Sequence, residues 1–187
     1  GQGGRSEDSG IVTGNTLKGH IIRGLSAGAE KLLYRNIFLD TVALTDIVCG
    51  LDEVDSSRIA VRGGSQGGAL SVACAGLSDK VKRASLWVPF LSDYKRVWEL
   101  DLRTDAYLEL WEYFERFDPL HESEAEIFNT LGYIDVHNLA DRVKAEVQMA
   151  VCLRDDICPP STQFAVYNNL ESEKEILVYK DFGHAVP

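Results

Sequence analysis

Ile59-Ala60-Val61-Arg62-Gly63-Gly64-Ser65-Gln66-Gly67-Gly68-Ala69-Leu70-Ser71-Val72-Ala73-Cys74-Ala75 holds three pieces in succession. The apolar run Ile59-Ala60-Val61 reads as a strand, the glycines as a tight turn, and the stretch from Ala69 as a helix. Ser65 stands at the tip of the turn, inside the pattern G-x-S-x-G of a nucleophile elbow. Such a turn is strained and needs small residues where strand and helix approach each other. It lifts the serine hydroxyl clear of the sheet, and the following helix directs its first N–H groups toward any oxyanion formed there.

Outward from this turn the chain alternates. Tyr34 to Leu51 reads as a helix with Ile37, Phe38, Val42, Leu44, Ile47 and Val48 on its apolar positions. Arg58 to Val61 reads as a short buried strand, and Gln66 to Leu77 as the helix after it. Lys82 to Leu91 contains a second buried strand, Ala84-Ser85-Leu86-Trp87-Val88. Glu146 to Leu153 is a third strand, Pro160 to Leu170 a helix opened by Pro159-Pro160, and Glu175 to Tyr179 a fourth strand. Residues 1 to 16, rich in glycine, serine and acids, read as loop. The alternation predicts an α/β fold, a parallel sheet with helices on both faces. Residues 95 to 142 break it with a charged, aromatic, mostly helical stretch. They read as an insertion over the carboxyl ends of the strands, where open α/β sheets bind ligands. The 187 residues fit one domain, residues 1–187, able to bury roughly 70% of its unfolded surface.

A net charge of −10 argues against nucleic acid, which wants a basic face. No apolar run approaches the ~20 residues of a membrane helix. Cys49, Cys74, Cys152 and Cys158 form no C-x-x-C pair and no zinc-like spacing, and Cys49 and Cys74 read as small core residues. With no signal peptide and no N-x-S/T site, the expectation is a reducing, cytoplasmic setting. No metal and no cofactor are expected. The chain opens Gly-Gln-Gly-Gly, has Met149 as its only methionine and ends three residues after His184, so both ends are expected to be cut.

A serine nucleophile needs a base, and the base an orienting carboxylate. In chain order serine, acid, histidine, the sequence supplies them. Asp155 and Asp156 follow the third strand, and His184, in Asp181-Phe182-Gly183-His184, follows the fourth. Spacing does not choose between the two aspartates, one of which can cap the next helix. His121 opens His121-Glu122-Ser123-Glu124, which lacks the second histidine of H-E-x-x-H and reads as a solvated helix start. His20 and His137 read as structural, and the aromatics around Trp111 as packing rather than a sugar platform.

Gly63-Gly64-Ser65-Gln66-Gly67-Gly68, Val88-Pro89-Phe90-Leu91-Ser92-Asp93, Asp118-Pro119-Leu120-His121 and Asp155-Asp156-Ile157-Cys158-Pro159-Pro160-Ser161-Thr162 occur in that order. Together with Gly1-Gln2-Gly3-Gly4-Arg5-Ser6, they resemble the acetyl xylan esterase / cephalosporin-C deacetylase family, carbohydrate esterase family 7, nearly end to end. The resemblance implies an α/β-hydrolase fold with a small helical insertion. It also implies deacetylation of acetylated xylo-oligosaccharides, cephalosporin C and related small esters. By that match Asp155 is the triad acid, Ser65 the nucleophile, His184 the base, and the backbone N–H of Gln66 one oxyanion donor. Ala185 replaces the glutamate that usually follows the histidine. The family's N-terminal strands and its second oxyanion donor, from an upstream H-G-Y segment, are expected to be missing, and the full-length family assembles as hexamers. The rival expectations are a peptidase of the prolyl-oligopeptidase type, which shares the elbow and triad order, and an inactive fragment.

Overall fold

The structure, a computed structural model, describes residues 20–104 and 106–185. The loop expected over residues 1 to 16 and the Gly1–Ser6 motif lie outside them. Strands β1 (Ile59–Gly64), β2 (Val81–Trp87), β3 (Glu146–Cys152) and β4 (Lys174–Tyr179) pair in that order, all parallel, as the α/β reading requires. Parallel neighbours need a crossover. The crossovers here are α2 (Gln66–Leu77), a long helical stretch between β2 and β3, and α6 (Pro160–Asn169). The elbow helix and α6 fall within a residue of their expected ends, because Ser65 and Pro160 punctuate the chain there.

The register sets what each face carries. Gly63, Leu86, Met149 and Ile176 lie in one row, with Ala84 and Val147 beside them, and this face packs into the core. On the other face Arg62, Ser85, Gln148 and Glu175 form a polar row, in which Gln148 Nε2 donates to Glu175 at 3.0 Å. The expected buried strand at residues 58–61 is therefore half-exposed. β1 has one strand neighbour among the described residues, and its side chains alternate between partly covered and open.

Helix α1 (Leu33–Cys49) packs on α2 through Tyr34, Phe38 and Thr45, an i, i+4, i+11 stripe. Leu44 and Ile47, read as apolar positions of this helix, are 61% and 65% exposed. Helical periodicity shows which residues share a face, but the face that α2 covers is the neighbouring one. Cys74 is buried as expected, with its sulfur 3.2 Å from Thr45 Oγ1, whereas Cys49, at the end of α1, is partly exposed.

Between β2 and β3 run α3 (Tyr94–Glu99), α4 (Leu108–Phe117), α5 (Glu124–Leu131) and 3-10 turns over Gly132–Ile134 and Val136–Arg142. They share an aromatic cluster. The Trp98 ring lies 4.6 Å from Phe114, 5.0 Å from Trp111 and 5.3 Å from His121, centroid to centroid. Trp111 and Phe114 are buried, so these rings are packing, as the sequence suggested. His121 is half-exposed ahead of α5, in a left-handed conformation with φ 55°, with Nδ1 3.4 Å from Glu124.

Candidate active site

Ser65 is the N-cap of α2, with φ 54° and ψ −119°, a region that side-chain-bearing residues seldom occupy. Its surroundings hold it there. Ser65 N–H donates to the Trp87 carbonyl at 2.9 Å, and its own carbonyl accepts from Phe90 N–H at 3.0 Å and Ala69 N–H at 3.1 Å. The glycines differ in what they permit. A Cβ on Gly63 would stand 2.1 Å from the Gly67 carbonyl oxygen, and one on Gly68 3.0 Å from that of Trp87. A Cβ on Gly67 would meet nothing within 4 Å. Strand and helix thus touch at Gly63, where a side chain cannot enter, and the fit at Gly68 is tight.

Asp155 and His184 lie just past β3 and β4. Backbone hydrogen bonds from Leu153 N to the Tyr179 carbonyl and from Arg154 N to that of Phe182, both 3.0 Å, zip their loops together. The structure brings the three side chains into one hydrogen-bonded row. Ser65 Oγ is 2.9 Å from His184 Nε2, and His184 Nδ1 is 3.0 Å from Asp155 Oδ2 and 3.1 Å from Oδ1. Of the two aspartates, Asp155 points at the imidazole. Its side chain is fully buried, and its Oδ1 accepts Ile157 N–H at 3.0 Å and Cys158 N–H at 2.8 Å.

The hydrogen bond that His184 Nδ1–H donates to Asp155 is the main cause that holds the imidazole above its ordinary pKa of 6.5. Burial pulls the other way, and the charges of Asp155 and Asp156 add to the rise. Chemically, the row can pass the Ser65 proton to an imidazole whose tautomer is fixed by a carboxylate. Gln66 begins α2, so its backbone N–H lies in the first turn beside Ser65. Its side-chain Nε2 donates to Tyr34 Oη at 2.7 Å.

Three side chains had no role in the site as read from the sequence. Cys158 is buried against Ser65 and Asp155, and burial, with the Asp155 charge, pushes its thiol far above the ordinary range. Gln163, fully buried on α6, donates from Nε2 to Asp155 Oδ2 at 3.0 Å. Nothing in the sequence marks it, since a lone glutamine in a short helix reads as solvent-facing. His137, expected to be structural, has a definite partner, Asp135, at 2.7 Å. The spacing D-x-H was the available signal.

Among the described residues one group brings metal-ligating atoms together. Asp155, Cys158 and His184 place a carboxylate, a thiol and an imidazole atom within 4.8 Å of one another. The carboxylate already accepts four N–H donors and burial keeps the proton on the thiol, which is poor preparation for a cation. Among the described residues no helix is long and apolar enough to cross a membrane.

Comparison with known proteins identifies the family. A family model described as Acetyl xylan esterase (AXE1) matches residues 1–186. Acetyl xylan esterase 1 from Thermoanaerobacterium sp. JW/SL YS485 superposes with a TM-score of 0.94 at 58% identity, over 100% of this chain and 59% of that one. The acetyl xylan esterase from Paenibacillus sp. R4 gives 0.91 at 40% identity, over 100% and 58%. Acetyl esterase Axe7A of Xylanibacter ruminicola is 32% identical over 160 residues, 86% of this chain and 34% of that protein. The chain thus spans about three fifths of the two solved relatives and about a third of the third. With an α/β-hydrolase fold and a family match along its length, the chain belongs to the acetyl xylan esterase family.

Proposed function

We propose that this chain carries the catalytic core of a serine esterase that removes acetyl groups from acetylated xylo-oligosaccharides and related small esters, cephalosporin C among them. The observation that carries the reading is the row Ser65 Oγ–His184 Nε2, 2.9 Å, and His184 Nδ1–Asp155 Oδ2, 3.0 Å, at the carboxyl ends of a parallel sheet. Family membership supports the acetyl ester as substrate.

In the first step Ser65 Oγ attacks the acetyl carbonyl carbon while its proton passes to His184 Nε2. Asp155 holds the Nδ1–H tautomer and offsets the imidazolium charge. The backbone N–H of Gln66 donates to the oxyanion of the tetrahedral intermediate, a kind of contact whose loss typically costs ~10²–10³ in kcat. Collapse breaks the bond to the sugar oxygen, which leaves as the alcohol with the proton from His184. Water then attacks the acyl-serine carbonyl as His184 Nε2 takes its proton; collapse breaks the bond to Ser65 Oγ, which takes that proton back, and acetic acid departs. Residues 95–142 act as a helical insertion on a single domain spanning 1–187. The four cysteines, all unpaired, support a reducing compartment.

The test is release of p-nitrophenol from p-nitrophenyl acetate by the full-length protein and by Ser65→Ala. The expected loss is about 10⁴-fold or more, and equal rates would end the proposal. Acetylated xylo-oligosaccharide, cephalosporin C and a peptide p-nitroanilide, assayed side by side, rank the substrates. Turnover of the anilide alone would make the protein a peptidase. Light scattering on the same sample checks the hexamer.

A further inference from the structure

Gln163 is a fully buried amide in the first turn of α6, on a helix whose other buried positions are Thr162 and Val166. A carboxamide taken out of water costs free energy unless each polar atom finds a partner. Here each does. Oε1 accepts Cys152 N–H at 3.2 Å, at the end of β3. Nε2 donates to the Cys158 carbonyl at 2.5 Å and to Asp155 Oδ2 at 3.0 Å. One side chain therefore grips the strand end, the far side of the loop, and the carboxylate that the loop carries.

The two oxygens of Asp155 are held unequally. Oδ1 is fixed by two backbone N–H groups, of Ile157 and Cys158. Oδ2, the oxygen nearer His184 Nδ1, has Gln163 as its one partner besides the imidazole among the described residues. We propose that Gln163 is a positioning residue for the esterase reaction: its carboxamide sets the orientation and charge of Asp155 Oδ2, and through it the orientation of His184. This rests on the reading of Ser65, His184 and Asp155 as a triad. A purely structural glutamine would need only the Cys152 and Cys158 contacts, whereas this one spends its second N–H on the carboxylate.

Two substitutions separate the roles in the full-length protein. Gln163→Met keeps the length and removes every polar contact. Gln163→Glu keeps the volume and the acceptor for Cys152 N–H but replaces the amide with a carboxyl facing Asp155. Two buried carboxyls in that contact hold one proton between them, since like charges so close resist joint ionisation. While that proton is present, the introduced carboxyl donates to Oδ2 as the amide does. Once it is lost, the two charges repel. The other titratable groups around Asp155 and its imidazole are His184, Asp156, Cys152, Cys158 and Tyr107, all of them present in wild type as well. Burial holds both thiols and the phenol above their ordinary ranges. A new alkaline limb would therefore belong to the introduced carboxyl.

The experiment is the pH profile of kcat and KM on p-nitrophenyl acetate for wild type, both variants and Asp155→Asn, with thermal melts alongside. Gln163→Met should lose about tenfold to a hundredfold in kcat, the range for outer partners that orient functional groups in metal sites, with KM within about twofold. Gln163→Glu should recover most of that kcat just above the acid limb set by His184 and lose it through an alkaline limb that wild type lacks. The low-field proton resonance of His184 Nδ1–H should move in Gln163→Met. Folded variants with wild-type kcat and profile would overturn the inference. So would losses that track melting temperature alone, with no new limb and an unmoved resonance. Full activity in Asp155→Asn would overturn the triad reading and this inference with it, whereas a dead Asp155→Asn beside wild-type Gln163 variants would sink this inference alone.

Discussion

At the scale of single residues, protonation decides when the site works. The proposed base must be neutral to accept the Ser65 proton, yet Asp155 favours the charged imidazole. The acid limb of kcat/KM for the free enzyme should therefore have its midpoint above 6.5, with activity lost as pH falls through it. Asp155→Asn should move that midpoint down while lowering the plateau by about 10⁴, and a pH–rate series on both proteins checks the two together. His137 makes the opposite kind of prediction, about stability. Burial pulls its pKa down, but the hydrogen bond it donates to Asp135 and the charges of Asp135 and Asp93 outweigh that and raise it. A raised folded value means the pair stabilises fully below 6.5 and loses that contribution as pH rises through the folded value. Wild type and His137→Gln should differ most in urea midpoint at low pH and converge at alkaline pH. Ser65 and His184 were legible in the sequence because each has a local sign, a glycine frame or a Gly-His after a strand. Asp155 was legible only through the longer motif around it. Gln163 was invisible, because what buries it is a loop eleven to five residues earlier in the chain, curled back over α6.

At the scale of elements, the elbow is a contact between two backbones. With 2.1 Å from a hypothetical Cβ to the Gly67 oxygen, Gly63→Ala must push β1 and α2 apart. It should cost about 1–3 kcal/mol, as overpacking does elsewhere, and move Ser65 from its base. Gly67→Ala has open space and lies inside a helix, so it should be neutral or stabilise by about 0.5–1 kcal/mol. Melting both variants tests the pair, and the reverse order would refute the account of the turn. Helix α1 shows where pattern reading fails. Its length and start were readable from periodicity, while its covered face depends on where α2 lies, which no local pattern contains. Exposed Leu44 and Ile47 should accept lysine with a change within about 0.5 kcal/mol.

At the scale of the molecule, the parts of the site come from widely separated stretches and are held by a few long-range clamps. Asp135 is one. Buried after the 3-10 turn at Gly132–Ile134, it accepts Asp93 N–H at 2.8 Å and Tyr94 N–H at 3.1 Å, capping α3 from a distance while holding His137. Ser92 Oγ donates to the Thr162 carbonyl at 2.9 Å, tying the same region to α6. Asp135→Ala leaves those N–H groups unpaired and should destabilise by about 2–4 kcal/mol, read as a fall in the urea midpoint.

Within the site, Ser65 and His184 lie 119 residues apart in the chain and 2.9 Å apart in the fold. A ribosome adding about 5–20 residues per second needs about 6–24 s to travel from one to the other. Throughout that interval a nascent chain carries the proposed nucleophile without the proposed base. Order of synthesis alone thus acts as a timer, and on the proposed mechanism hydrolysis begins only once the loop after the last strand has emerged and docked.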